Sequence, residues 1–218
     1  MNEFIAVIPA REHDDVLPGK NILPFGKTNL LIHKIKQLKK VDQIKKIIVT
    51  SESQKYLDMV RGEEIELDLR PGEFADSKSN FGDFVEYIAS KVTAENILWA
   101  SVTSPMINEN DYFVAIEKYK EVINKGYDSL ISVNKLKRFL LDENGPLNFR
   151  FNFHERSTTK LPTLYSFTNG VVIAPTVSMI QWKYNWGEKP YKLEFSPDKT
   201  IDICNQAEYE FAKFLYQE

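Results

Sequence analysis

Residues 4–21 read FIAVIPAREHDDVLPGKN, an apolar run followed at once by a polar loop. The run at 4–8 contains no polar residue, which predicts a strand that is buried on both faces. The loop after it carries Arg11, Gly19 and Lys20. Ligands bind beyond the carboxyl ends of the strands in an open α/β sheet, so this loop is the first candidate for a binding site.

The same alternation continues along the chain. Apolar runs predict further strands at 45–50, 64–69, 96–100, 129–133 and 170–174. Amphipathic spacing predicts helices at 30–38, 81–92, 111–123 and 206–216. A capping box of Ser51 and Gln54 predicts a further helix that ends at Val60. Strands that alternate with such helices indicate βαβ units, and therefore an α/β fold with a mixed, mainly parallel sheet flanked by helices.

The pattern changes between residues 135 and 168, where polar and aromatic residues follow no clear period. We expect residues 1–218 to form a single domain. Within it, 135–168 is predicted to be an insertion, either a dimerisation element or part of an acceptor site, because it is longer than a compact sheet needs for a connection.

Composition excludes several classes of partner. The formal net charge is −3, so bulk electrostatics favour neither nucleic acid nor an anionic membrane. The single cysteine, Cys204, cannot form an intramolecular disulfide and is typical of a reducing compartment. The amino terminus has no basic segment followed by an apolar one, and no apolar run is long enough to cross a bilayer. We therefore expect a cytoplasmic protein.

The first loop has the side chains that bind phosphate. Arg11 offers a planar fork of donors, Lys20 a mobile point charge, and Gly19 allows the backbone to approach a ligand closely. The chain contains neither GxxxxGK[ST] nor GxGxxG, which disfavours a P-loop kinase and a dinucleotide enzyme. The spacing alone leaves open an ordinary surface loop with solvated cations.

Six segments in order resemble one family. They are PAR and PGKN within 9–21, IIVTSES at 47–53, LRPGEFADS at 69–77, SVTSP at 101–105, TNG at 168–170 and TIDI at 200–203. Together they are similar to the acylneuraminate (CMP-sialic acid synthetase-like) cytidylyltransferases, and they span nearly the whole chain. The resemblance implies the nucleotide-diphospho-sugar transferase fold, with a Rossmann-like sheet.

The resemblance also implies an activity and its partners. Such enzymes transfer CMP from CTP to a sialic-acid-like or other 2-keto-3-deoxy sugar acid, with release of pyrophosphate, for cell-surface glycan synthesis. They use Mg²⁺ and form homodimers. On this basis we expect CTP and a small acidic acceptor as ligands, Mg²⁺ as cofactor, and a homodimer.

Site residues are carried over position by position. Arg11 and Lys20 match the phosphate-contacting, catalytic pair, and Asn21 and Arg70 match further nucleotide contacts. For Arg70 a structural ion pair is the alternative. Asp202 matches a metal-site aspartate.

On the acceptor side, Asn169 and Gly170 match the family's substrate segment. Arg156, with Arg150 and Lys160, is a candidate for holding the acid, and its alternative is solvated surface charge. The aromatic group at 182–191 is either a stacking surface or ordinary packing.

The chain departs from the family at several of these positions. Cys204 replaces the second aspartate of the metal site, and a thiol is a poor Mg²⁺ ligand. Asp14 and Asp15 stand where the family often has Ser and Lys, and carboxylates there would repel a triphosphate unless a cation intervenes. Ile107 replaces an arginine on the acceptor side. Two alternatives therefore stay open: a cytidylyltransferase with a different acid or phosphorylated acceptor, and a catalytically impaired nucleotide-binding paralogue.

Overall fold

A computed structural model describes residues 3–75, 80–150 and 157–216. Seven strands form one sheet: β1 (Phe4–Pro9), β4 (Ile44–Ser51), β5 (Glu66–Leu69), β6 (Asn96–Trp99), β7 (Ser129–Leu136), β10 (Leu164–Pro175) and β11 (Pro190–Glu194). Two small hairpins supply the others, β2 (Pro24–Phe25) with β3 (Thr28–Asn29), and β8 (Leu141–Asp142) with β9 (Gly145–Pro146).

The order of the main sheet is β11-β7-β10-β6-β1-β4-β5. Strands β6, β1, β4 and β5 are parallel to one another, and β11 is parallel to β7. Strand β10 is antiparallel to both β6 and β7, so it alone among these seven strands is reversed. The predicted mixed, mainly parallel sheet is therefore confirmed.

In the part of the chain that the structure describes, six helices flank the sheet: α1 (Leu30–Leu38), α2 (Gln54–Val60), α3 (Phe81–Ala89), α4 (Glu109–Ile123), α5 (Thr176–Trp182) and α6 (Gln206–Leu215). Strand β1 shows how two cores arise. Phe4, Ala6 and Ile8 pack in one cluster with α1, α2, α4 and α6, whereas Ile5 and Val7 pack in the other with α3 and α5. Burial on both faces is what the continuous apolar run predicts.

Some local predictions were wrong. The capping box was placed at Ser51 and Gln54, but Ser51 ends strand β4 and the side chain of Ser53 accepts a hydrogen bond from the Tyr56 backbone N–H. Strand β11 and helix α5 were not predicted. The five residues of β11 pair with β7 alone at the sheet edge, and none of them is fully buried.

The segment 135–168 begins in β7 and ends in β10, so its ends belong to the main sheet. Between them, the described residues 137–150 and 157–163 hold the hairpin of β8 and β9 and a 3₁₀ turn, Thr158–Lys160. Its role in dimerisation or acceptor binding stays a prediction. None of the helices described is long and apolar enough to cross a membrane.

A buried ammonium group connects the carboxyl edge of the sheet to the helical layer. Lys34 on α1 is fully buried, and its Nζ donates to the carbonyls of Ser104 and Ile107 and to the Tyr112 hydroxyl, at 2.9, 3.2 and 2.8 Å. Burial lowers its pKa to about 7; the charge of Asp111 opposes this shift, and that of Lys199 adds to it. The three acceptors match the three donors of the protonated amine.

We expect Lys34→Met to lower the free energy of unfolding by about 1–3 kcal/mol, because two buried carbonyls lose their donor. Urea denaturation at pH 8 measures the change. Lys36→Met on the exposed side of the same helix is the matched control and should be near neutral.

The same pair of variants tests the titration of Lys34. Its folded pKa lies below the unfolded value, so the cost of burying the charge is fully present below pH 7 and is relieved as pH rises above it. The stability of the parent relative to Lys34→Met should therefore increase from pH 7 to pH 9, by at most about 1.4 kcal/mol per pH unit. A difference independent of pH would show that Lys34 keeps an ordinary pKa.

Candidate active site

A cleft of about 390 Å³ opens at the carboxyl edge of the sheet. It is lined by loops that follow β1, β5 and β6, by the reversed strand β10 and by the segment before α6. The predicted site residues that line it are Arg11, Lys20, Asn21, Arg70, Asn169 and Asp202, together with Cys204. Residues far apart in sequence thus meet in one cleft, as the topology requires.

The first loop folds around a buried carboxylate. Asp14 Oδ2 lies 2.7 Å from an Arg11 guanidinium nitrogen and 2.7 Å from Lys20 Nζ. Its Oδ1 accepts the backbone N–H groups of Val16 and Leu17 at 3.2 and 3.0 Å. The two predicted phosphate-binding cations are therefore held side by side by one residue.

Two further contacts fix the ends of this loop. Gly19 has a positive φ of 68° and precedes the short helical turn that starts at Lys20. The Asn21 side-chain amide donates to the Arg11 carbonyl at 2.8 Å, so Asn21 shapes the loop as well as lining the cleft.

Asp14 stays ionised in spite of its burial. Burial alone would raise the pKa of its carboxyl group, but hydrogen bonds from Lys20, the Leu17 backbone and Arg11 outweigh it and hold the pKa well below its usual range. The charge of Asp14 is thus paired with two cations inside the loop. Asp15 instead pairs with His13 at 2.9 Å, its side chain is 76% exposed, and it does not line the cleft.

Arg70 forms the structural ion pair that was considered for it, and its contact with a nucleotide stays a prediction. Its guanidinium makes a 2.8 Å ion pair with Glu52, and its carbon centre lies 4.7 Å from the Phe84 ring centroid. The Arg70 Nε is buried and has no hydrogen-bond partner in the described part of the chain. Arg70 also lines the cleft, so the ion pair with Glu52 holds the Arg70 guanidinium at the site.

Asp202 lines the same cleft as Arg11 and Lys20 of the first loop. The Thr103 hydroxyl donates to its Oδ1, and the Ile203 backbone N–H donates to the Thr103 carbonyl at 2.8 Å. Burial raises the pKa of the Asp202 carboxyl, and the Thr103 hydrogen bond and the charge of Lys20 oppose this. Asp202 is therefore a partly buried carboxylate within electrostatic reach of Lys20.

Cys204 is exposed at the cleft. Partial burial raises the pKa of its thiol, the charges of Asp202 and Glu208 raise it further, and Lys20 opposes them. Glu208 does not replace the missing aspartate, because its carboxylate accepts the Cys204 backbone N–H at 2.7 Å and caps the start of α6.

The donor set restricts how a metal could bind. Within residues 3–75, 80–150 and 157–216, no three His, Cys, Asp or Glu side chains gather as a metal site. Mg²⁺ in phosphate-transfer sites often takes only one or two protein carboxylates and completes its shell with phosphate oxygens and water. Asp202 is compatible with that arrangement, and Cys204 contributes nothing to it.

A bulge in strand β10 presents Asn169 to the cleft. The register with β7 shifts between Phe167 and Val172, and Asn169 has a φ of 54°. The Ser132 hydroxyl oxygen accepts the Val171 N–H at 3.0 Å and so replaces a ladder hydrogen bond. Asn169 lines the cleft as predicted.

Gly170 faces the core instead. A Cβ there would lie 2.9 Å from Ile107 Cγ1 and 3.4 Å from the Ser132 hydroxyl, so glycine permits this close packing. The third predicted acceptor contact, Arg156, lies outside the described residues.

The sequence prediction missed an aromatic wall. Phe81, Phe84 and Trp99 line the cleft, and Trp99 makes edge contacts with both phenylalanines at 6.1 and 5.6 Å. In the aromatic group at 182–191, which the sequence did indicate, Trp186 stacks on Phe167 at 4.8 Å and on Tyr184 at 5.9 Å but does not line the cleft. Apolar side chains at helix starts and strand ends have the same pattern as core residues, so periodicity could not identify them.

The fold and the cleft define an α/β protein with cations and a carboxylate facing each other at the carboxyl edge of its sheet. A protein-family model described as "Cytidylyltransferase" matches residues 5–218. The chain therefore belongs to the cytidylyltransferase family, which confirms the resemblance.

Individual relatives are more distant. N-acylneuraminate cytidylyltransferase of Escherichia coli O18:K1:H7 (strain RS218 / NMEC) is 26% identical over 223 residues, or 99% of this chain and 52% of that protein. The chain thus spans about half the length of this curated relative.

Two solved structures share the fold. CMP:2-keto-3-deoxy-manno-octonic acid synthetase complexed with CTP matches with a TM-score of 0.72 and 11% identity, over 98% of both chains. The 4-diphosphocytidyl-2C-methyl-D-erythritol synthase of Anaerococcus prevotii DSM 20548 matches with 0.68 and 14%, over 100% of both.

The single cysteine provides a probe of the cleft. We expect iodoacetamide to alkylate Cys204 more slowly at pH 8 than it alkylates free cysteine, because less of the thiol is ionised. Asp202→Asn removes a neighbouring negative charge and should accelerate the reaction about twofold or more. Mass spectrometry of timed samples measures both rates.

Glu210→Gln is the control for that experiment. It removes one negative charge from α6, the helix that follows Cys204, and Glu210 is not among the charges that shift the pKa of the Cys204 thiol. Equal rates for Asp202→Asn and the parent would mean that the two side chains are not electrostatically coupled.

Proposed function

We propose that the protein is a CTP-dependent cytidylyltransferase that transfers CMP to a small acidic acceptor and releases pyrophosphate. The observation that carries this proposal is the meeting of Arg11, Lys20 and Arg70 with Asp202 in one cleft, in a chain that belongs to the cytidylyltransferase family.

The residues of the cleft have different roles in the proposed transfer of CMP. An acceptor hydroxyl oxygen forms a bond to the α-phosphorus and gives up its proton to solvent, while the bond from that phosphorus to the bridging oxygen breaks and pyrophosphate leaves with the electron pair. Arg11 and Lys20, held side by side, stabilise the negative charge that grows on the phosphates. Asn21 keeps the loop in shape through the Arg11 carbonyl, and Arg70 contributes a fixed cation to the nucleotide side.

We further propose that Mg²⁺ accompanies the nucleotide. The metal would neutralise phosphate charge, and Asp202 would supply the one carboxylate of the protein. Because the described residues offer no cage, binding of Mg²⁺ should depend on the nucleotide.

The acceptor is proposed to be a sialic-acid-like or other 2-keto-3-deoxy sugar acid, for cell-surface glycan synthesis. Support comes from the 26% identical relative and from the position of Asn169 beside the aromatic wall. The positive charges that bind the acidic acceptor are proposed to come from Arg156 and from the second subunit of a homodimer. A different acid or a phosphorylated compound is the alternative acceptor.

The test is a pyrophosphate-release screen with Mg²⁺ and four nucleoside triphosphates against a panel of ulosonic acids and phosphorylated metabolites. We expect release from CTP with at least one acid and not from ATP, GTP or UTP. Lys20→Gln should weaken binding of CTP with Mg²⁺ about tenfold or more, because a charge-assisted contact is lost.

Lys45→Gln is the matched control, since Lys45 is an exposed cation near the amino end of β4, at the opposite edge of the sheet. Calorimetry measures the affinities. Tight CTP binding without release for any acceptor would support an impaired paralogue, and a preference for another nucleotide would contradict the proposal.

The metal site generates a separate prediction. Asp202→Asn should abolish pyrophosphate release while sparing the fold, because it removes charge but little volume. Cys204→Asp restores the second family carboxylate and should lower the Mg²⁺ concentration for half-maximal activity severalfold. Titration of Mg²⁺ at saturating CTP measures this.

Cys204→Ser is the control, because it replaces the thiol without adding a charge. If Cys204→Asp behaves like Cys204→Ser and Asp202→Asn keeps full activity, Asp202 holds no metal.

A further inference from the structure

Asp14 occupies the place of an anion between the two predicted phosphate-binding cations. Its side chain is 4% exposed, and a single oxygen contacts both Arg11 and Lys20 at 2.7 Å. The other oxygen accepts two backbone N–H groups, which fix the orientation of the carboxylate. The arrangement reproduces, inside the protein, the contacts that a phosphate oxygen would make with the same cations.

We propose that Asp14 is a specificity-determining residue of this site: its carboxylate competes with nucleotide phosphates for Arg11 and Lys20, so that the cleft binds CTP with a divalent cation far better than CTP alone. The inference rests on the proposed function, because it requires that Arg11 and Lys20 contact the phosphates.

The charge balance of the cleft supports the competition. Among the described residues, each cation that lines the cleft is bonded to a carboxylate: Arg11 and Lys20 share Asp14, and Arg70 pairs with Glu52. With Asp202 as a third carboxylate in the same cleft, three positive and three negative side chains balance, so metal-free CTP brings several negative charges to a set of groups without spare positive charge. It must either displace a buried, multiply bonded carboxylate or lie beside it, and both are unfavourable.

A divalent cation removes this conflict. Carried by the phosphates, it supplies the positive charge that the cleft lacks and reduces the repulsion between phosphate oxygens and Asp14. Asp14 then favours metal-bound CTP over metal-free CTP, because it repels the more negative form. The selection depends on this repulsion as much as on the attraction to the cations.

Neighbouring residues supply matched variants. Asp14→Asn removes the charge but keeps an oxygen that can accept the N–H groups of Val16 and Leu17. Asp14→Ser is a second variant with a short neutral acceptor, in case Asn distorts the loop. Asp15→Asn removes the same charge one residue away, from a side chain that contacts His13 and neither phosphate-binding cation.

The experiment is calorimetry of CTP binding by the full chain, once with EDTA and once with excess Mg²⁺, after circular dichroism has confirmed the fold of each variant. With EDTA, Asp14→Asn or Asp14→Ser should bind CTP about tenfold tighter than the parent, whereas Asp15→Asn should change the affinity by less than about threefold. With Mg²⁺, the parent and the Asp14 variants should agree within about threefold.

Three results would overturn the inference. If the parent binds CTP with Mg²⁺ but the Asp14 variants bind metal-free CTP no tighter than the parent does, Asp14 organises the cations instead of competing for them. If Asp15→Asn tightens binding as much, the effect belongs to the net charge of the loop. If the parent binds CTP under neither condition, the proposed function fails and the inference fails with it.

Discussion

The cleft depends on the buried ammonium group of Lys34. From helix α1 it holds the carbonyls of Ser104 and Ile107, and with them the loop that carries Thr103 to Asp202. Its third acceptor, the Tyr112 hydroxyl, donates in turn to the Gly170 carbonyl at 3.4 Å in the bulge of β10. One buried charge thus connects α1, α4, the loop after β6 and the reversed strand.

This connection explains why the reversed strand takes part in the site. A strand running opposite to its neighbours brings its amino-terminal half to the edge where theirs end, so Asn169 reaches the cleft although it lies far from Arg11 in sequence. The bulge needs a small residue at 170, because Ile107 packs against that position at contact distance. The replacement of the family's arginine by Ile107 therefore makes sense as packing, with Ile107 fully buried.

Most of the sheet was predictable because its central strands are continuous apolar runs, as in β1 and β6. The edge strand β11 was not, since it is only half-buried and has no such run. The resemblance assigned Arg11, Lys20, Arg70 and Asp202 to one site, and in the structure all four residues line one cleft. The Asp14 bridge could not be foreseen, because an i, i+3 contact to Arg11 and a contact to Lys20 depend on how the loop folds, which residue types alone do not determine.

The two main departures from the family act on the same few atoms. Cys204 carries a thiol where the family has a carboxylate. Asp14 is a carboxylate that the family pattern does not predict, and it is buried between Arg11 and Lys20. The charges of Asp14 and Asp202 both raise the pKa of the Cys204 thiol. The carboxylate that this chain adds, Asp14, and the one that it keeps, Asp202, therefore both act on the position where the second metal-site carboxylate is missing. A second aspartate at 204 would place a third carboxylate in this small region, where Lys20 is already bonded to Asp14. With Asp14 in place, a neutral residue at 204 limits the negative charge that an incoming triphosphate must meet.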